Sequence, residues 1–255
     1  MGLEPADSST VVVVLGMHKS GTSLVSEILD RSGIEMIEHS SALGYDEGFH
    51  HERRATSEIN KDLLHARDLH SLETIRKIDP DCADPEPRGA AERFIASMAE
   101  RRVDWGFKDP RTCLTYDLWR NLLPPHKLIC VFRDATEVLQ HYTRVRKGSA
   151  FRVLRAWYRY NEAMLDAFKR SPEQDRFMIH YRTFMESGEG LAALSRFLDR
   201  PLVDRRSDRL MRSRDKARHA AWLKPRLHRL LTSQDVAGLN RRLREVAREE
   251  LKAAD

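Results

Sequence analysis

One stretch, VVVVLGMHKSGTS from Val11 to Ser23, constrains this chain more than any other. Val11 to Leu15 is a continuous β-branched apolar run of the kind found in a parallel strand covered on both faces. Gly16 and Gly21 then mark a turn, and Thr22 to Arg31 sets Leu24, Val25, Ile28 and Leu29 at helical spacing, with Gly33 available as a stop. Strand, glycine loop and helix in that order build an anion site. Gly21 lets the backbone approach a ligand closely, and the N–H groups of Thr22 and Ser23 open a helix whose dipole favours negative charge. A Walker-type loop, GxxxxGK followed by Ser or Thr, carries its lysine directly after the second glycine. Here Thr22 holds that position and Lys19 lies inside the loop, which argues against an ordinary nucleoside triphosphatase. A lysine so placed sits beside a bound phosphate, where charge develops on a leaving oxygen.

Further buried strands are expected at VDWGFKD, KLICVF and RFMIHY (Arg176 to Tyr181), separated by helical periodicity. That alternation predicts an α/β fold with a doubly wound parallel sheet flanked by helices. A helix is expected over about Glu52 to Ile78 and a proline-rich loop from Asp79 to Gly89. Another helix, Ala150 to Lys169, places Leu154, Trp157, Met164, Leu165 and Phe168 in the core, and an amphipathic helix closes the chain over about 235–252. The expected organisation is a tail over 1–10 and a single domain over 11–255.

A net charge of +5 suits an anionic ligand without choosing one. The balance of 33% charged and 41% hydrophobic residues is that of a soluble globular protein. No apolar run approaches the roughly 18 residues of a membrane span, and MGLEPADSST lacks a leader pattern, so a cytoplasmic location is expected. Cys82, Cys113 and Cys130 show no CxxC spacing, which disfavours a disulfide framework or a zinc site; Cys113 and Cys130 are expected in the core. The arginine-rich stretch 205–229 offers only Trp222 for base stacking, so nucleic acid is not an expected partner.

The segment GMHKSGTS after a buried strand resembles the 5′-phosphosulfate loop of the sulfotransferases that use 3′-phosphoadenosine 5′-phosphosulfate (PAPS). WGFKDPRT, Trp105 to Thr112, is similar to the KDPR segment of many bacterial members, and KLICVFRDATEVLQHY to the family's 3′-phosphate segment. IHYRTF, from Ile179, is a fainter echo of the family's tyrosine-acidic pair. The resemblance covers most of Val11 to Phe184. It implies a P-loop-like fold and in-line transfer of a sulfuryl group from PAPS to a hydroxyl of a small molecule or carbohydrate. The product would be 3′,5′-adenosine bisphosphate (PAP), with no metal required.

Under that resemblance His18, Lys19, Ser20, Gly21, Thr22 and Ser23 would hold the 5′-phosphate, with Lys19 on the leaving group. Arg133 would take the 3′-phosphate, or else form an ion pair with Asp134 or Glu137. His141 stands where the family usually has a serine, and Thr143 or Arg144 could substitute for it. Two frames compete for the general base: Gly44-Tyr45-Asp46-Glu47 matches a glycine-aromatic-x-glutamate pattern, whereas counting back from INKDLL favours Glu52. His50 and His51 lie beside them. Lys108 would neutralise sulfuryl oxygens, Asp109 would orient Lys108 or serve as a second base, and Arg111 would pair with Asp109. The competing readings are a small-molecule kinase on the same fold, which would need magnesium ATP, and a non-catalytic PAP-binding module.

Overall fold

A run of four valines and a leucine carries no polar side chain to turn outward, and the chain covers it on every side. In the computed structural model, which describes residues 9–38, 51–69, 72–144, 149–206 and 234–253, strand β1 (Val11–Leu15) is buried along its whole length. It lies between β2 (Trp105–Lys108) and β3 (Lys127–Phe132), and β4 (Arg176–His180) follows β3. All pairings are parallel, in the order β2-β1-β3-β4, with Val13 opposite both Phe107 and Leu128.

The two faces of β1 feed two cores. Val12 and Val14 meet Leu24, Val25, Ile28 and Leu29 of helix α1 (Thr22–Arg31). Val11, Val13 and Leu15 belong to the larger core on the opposite face. After β1 the chain therefore turns to one face, whereas after β3 it enters α5 (Ala135–Arg144), whose Val138 and Leu139 belong to the other. Where two neighbouring parallel strands send their chains to opposite faces, a crevice opens beyond their carboxyl ends.

Helix ends explain where sequence and structure differ. At the end of α1, Gly33 adopts φ 88, and the bonds Gly33 N–H to Asp30 O and Ile34 N–H to Leu29 O close a Schellman motif. Helix α2 (Arg54–Leu63) ends in the same way, through His65 N–H to Asp62 O and Ala66 N–H to Lys61 O. His65 takes the left-handed position there, at φ 49. The helix expected to reach Ile78 thus stops at Leu63, because a histidine does what a glycine usually signals. The expected loop from Asp79 to Gly89 is corrected too: after a 3-10 turn at Pro80–Cys82, helix α3 (Pro85–Glu100) begins inside it. Pro85 and Pro87 occupy the first turn, where a missing N–H costs nothing.

Helices α4 (Thr112–Leu122), α6 (Ala150–Arg170) and α9 (Val236–Ala253) pack on the larger core, and α7 (Tyr181–Glu186) and α8 (Glu189–Phe197) on the smaller. The five α6 residues expected in the core are all buried, as are Cys113 and Cys130. No helix among the described residues is long and apolar enough to cross a membrane.

Candidate active site

The loop after β1 is tightly wound. Ser20 N–H donates to the Met17 carbonyl at 3.2 Å, and Lys19 sits at φ 69 in the left-handed region, which costs a non-glycine residue about 1–2 kcal/mol. Gly21 follows at φ 96, and a Cβ there would lie 2.0 Å from the ring of Tyr181, so this ring lies directly on the loop. The amides of Thr22 and Ser23, in the first turn of α1, have no carbonyl within the helix to bond.

A cavity of about 470 Å³ opens over the loop. His18, Lys19, Gly21, Thr22, Ser23, Glu52, Lys108, Arg133 and His141 all line it. Ser20 does not: its side chain is completely buried, its hydroxyl has no hydrogen-bond partner among the described residues, and its contribution to the loop is its backbone. Asp109 is also sealed beneath the cavity, where it accepts from the Arg111 amide at 2.7 Å and its guanidinium at 3.3 Å. Glu47, His50 and the stretch 207–229 lie outside the described residues.

Strand β2 delivers Lys108 to the cavity with its side chain 1% exposed. Its Nζ donates to Glu52 Oε1 at 2.8 Å and reaches Ser23 Oγ at 3.5 Å. Glu52 is planted by its neighbour. The Arg53 guanidinium is fully buried, donates to the Glu35 carbonyl at 2.8 Å and pairs with the Glu35 carboxylate at 3.2 Å. Burial pulls the Lys108 ammonium below its ordinary pKa, and Glu52 opposes the shift. Burial also pulls His18 down to about 3; Glu52 works against this, and the cations Arg111, Lys108 and Lys19 add to it. His18 therefore lines the cavity as a neutral ring, with Nδ1 sealed and without a hydrogen-bond partner among the described residues.

Arg133 is the first residue after β3, and Trp157 Nε1 donates to its carbonyl at 2.9 Å. Its Nε donates to Glu137 at 2.7 Å, and its guanidinium carbon lies 5.4 Å from the Tyr181 ring centroid. Placement in the cavity and the ion pair thus occur together. Tyr181, Ser57 and Lys61 also line the cavity and were not singled out in the sequence. Tyr181 follows a buried strand as Arg133 does, so its position at the carboxyl edge was a usable signal. Ser57 and Lys61 lie one turn apart on α2, a spacing that fixes one face but not what it faces.

A sequence profile described as "Sulfotransferase family" matches residues 12–204. The chain belongs to the sulfotransferase family. The matched region contains every cavity residue named above. Among solved structures, the sulfotransferase domain from the Synechococcus PCC 7002 olefin synthase is 16% identical, with 81% of this chain and 79% of that one covered and a TM-score of 0.49. The sulfotransferase domain from the curacin biosynthetic pathway is 15% identical, with 78% and 76% covered and a TM-score of 0.48. Sulfotransferase STF9 from Mycobacterium avium is 14% identical, with 98% and 76% covered and a TM-score of 0.46. No curated protein sequence matches. Among the described residues of this sulfotransferase, no group of three or more His, Cys, Asp or Glu side chains could hold a metal ion.

Proposed function

We propose that this sulfotransferase uses PAPS as donor and a hydroxyl of a small molecule or carbohydrate as acceptor. One observation carries the reading: the strained loop at residues 16–23, the buried Lys108–Glu52 pair and Arg133 converge on one cavity at the sheet's crevice. The loop fits a phosphate-bearing group. Its first-turn amides lack partners within the helix, and among the described residues five cations and one carboxylate line the cavity. When bound, the donor supplies a sulfuryl group whose bond to the 5′-phosphate oxygen breaks as the acceptor oxygen bonds to sulfur.

The chain's own residues divide the remaining work. The loop amides and the Thr22 and Ser23 hydroxyls hold the 5′-phosphate, and the flexible Lys19 ammonium neutralises charge on the departing oxygen. Glu52 accepts the acceptor's proton. Lys108, held 2.8 Å from Glu52, balances the carboxylate and faces the sulfuryl oxygens. Arg133 and His141, which line the same cavity, bind the 3′-phosphate. No step requires a metal.

Calorimetric titration of metal-free protein with PAP and then AMP tests this reading, because the two ligands differ in the 3′-phosphate. A charge-assisted contact is worth about 1.5–3 kcal/mol, so PAP should bind roughly 10- to 100-fold more tightly than AMP, and Arg133→Ala should erase the difference. Equal binding of PAP and AMP by the parent protein would overturn the donor assignment.

A further inference from the structure

Arg133 is surrounded by a network that extends beyond the cavity. Glu137, one helical turn on, is only 8% exposed at its side chain, yet it accepts from two arginines. Its Oε2 takes the Arg133 Nε at 2.7 Å, and its Oε1 takes the Arg182 Nε at 2.7 Å. Arg182 is the second residue of α7, so β3, α5 and α7 are tied together at this carboxylate.

A second acid braces the same turn. Asp134 is 6% exposed at its side chain and accepts from Arg244 Nε at 2.8 Å and Asn240 Nδ2 at 3.1 Å, both on α9. Asn240 returns a bond by accepting from the Ala135 amide at 3.0 Å. His180, stacked on Phe132, lies 3.4 Å from Asp134. Burial acts to raise the Asp134 pKa, but the His180 and Arg244 contacts outweigh it, so the carboxyl stays well below its usual range. Arg244 and Asn240 lie beyond the region matched to the family, residues 12–204.

An arginine has five N–H donors in a rigid fork. Glu137 engages Nε, the donor on the stem side, and fixes the plane of the guanidinium, which lies over the Tyr181 ring. We infer that Glu137 is a positioning residue that orients Arg133 toward the donor's 3′-phosphate, and that α9 holds the same turn in register through Arg244, Asn240 and Asp134. Glu137 touches no ligand in this arrangement, since it does not line the cavity. The opposite possibility is physical as well: a carboxylate close to Arg133 also repels a phosphate, and if repulsion dominates, removing its charge tightens binding.

The inference rests on the donor reading, and the test separates the two. PAP and AMP are titrated into the parent protein, Glu137→Gln and Arg244→Met, with thermal melts to confirm folding. A parent ratio of affinities near one overturns the donor reading and the inference with it. With a parent ratio of about 10 or more, Glu137→Gln should lower the ratio by about three- to tenfold and Arg244→Met by about two- to threefold, each leaving AMP affinity unchanged. A merely structural role weakens PAP and AMP together, which overturns the inference. An unchanged ratio in both variants, or tighter PAP binding in Glu137→Gln, overturns it as well. Arg244 is 44% exposed at its side chain, so its variant gives an answer even if Glu137→Gln fails to fold.

Discussion

Glu52→Gln keeps the shape of the side chain and removes its charge, which leaves Lys108 buried without its ion-pair partner, with Asp109 as the remaining acid that favours its charge. Lys108 is 1% exposed and Glu52 15% at their side chains, so little solvent screens the pair. Removing one partner of a buried ion pair costs about 3–5 kcal/mol when the other stays charged. Lys108 has an escape, because burial already lowers its pKa with Glu52 opposing, and in the variant it gives up its proton more readily. The expected cost near pH 7 is therefore at the lower end, about 3 kcal/mol. The direction with pH follows from linkage. The folded-state pKa lies below the unfolded value of about 10.4, so between the two the unfolded chain binds more protons and stability rises with pH. Losing Glu52 extends that window downward. Urea denaturation followed by tryptophan fluorescence should show the variant gaining more stability than the parent between about pH 7 and about pH 9.5. Turnover of a hydroxylated acceptor used by the parent should fall by about 10²- to 10⁴-fold, the usual contribution of a general base. A variant within about 1 kcal/mol of the parent at both pH values would refute the account of the pair. Turnover within about threefold would refute Glu52 as the base.

Other substitutions and titrations test separate parts of the site. Gly21→Ala would put a methyl group 2.0 Å from the Tyr181 ring at φ 96, so calorimetry should show PAP and AMP binding both weakened by at least about tenfold; retained affinity would mean that the ring does not hold the loop. His18, with a pKa of about 3, should show no inflection in its NMR ring-proton shifts between about pH 5 and 8, whereas an inflection near 6.5 would mean that the ring is solvated. Cys82 is exposed while Cys113 and Cys130 are buried, with burial pushing Cys113 up to about 12. A thiol reagent should therefore label Cys82 in the native protein and the other two only after unfolding; early labelling of Cys113 would contradict its core placement.

The strands and the loop were legible because their signals are local. Four consecutive valines suit only a strand covered on both faces, and glycine spacing fixes a turn without reference to the rest of the chain. The end of α2 and the start of α3 were not, since His65 adopts a glycine-like conformation and Pro85 sits where proline is harmless. Both are choices between local preferences that packing decides. In the site, Lys19 and Arg133 stood out by position in a motif, while Glu52 shared its candidacy with Glu47. Tyr181 carried the same strand-end signal as Arg133 without being singled out, whereas Ser57 and Lys61 became visible only when α2 was brought to the crevice. The two sequence frames for the base differ by five residues: Glu52 meets Lys108 across 56 positions of chain, and Glu47 lies outside the described residues.

The cavity's cations differ in how they are held, and that difference bears on what each can do. Lys108 is held by Glu52, Arg111 by Asp109, Arg133 by Glu137 and Lys61 by Glu58. In the first three pairs the acid is at most 15% exposed at its side chain, so these charges are fixed before any ligand arrives. A fixed charge stabilises developing negative charge without reorganising at the moment of reaction. Lys19 is the exception: among the described residues it lines the cavity with no ion pair, and it is exposed. Its backbone lies in the left-handed region while its side chain is exposed. A charge that must follow an oxygen as a bond lengthens needs a fixed base and a mobile tip, whereas charges that bind phosphates and sulfuryl oxygens need the opposite. On the proposed donor reading, the placement of Lys19 inside the loop, rather than after its second glycine, separates these two demands within one site.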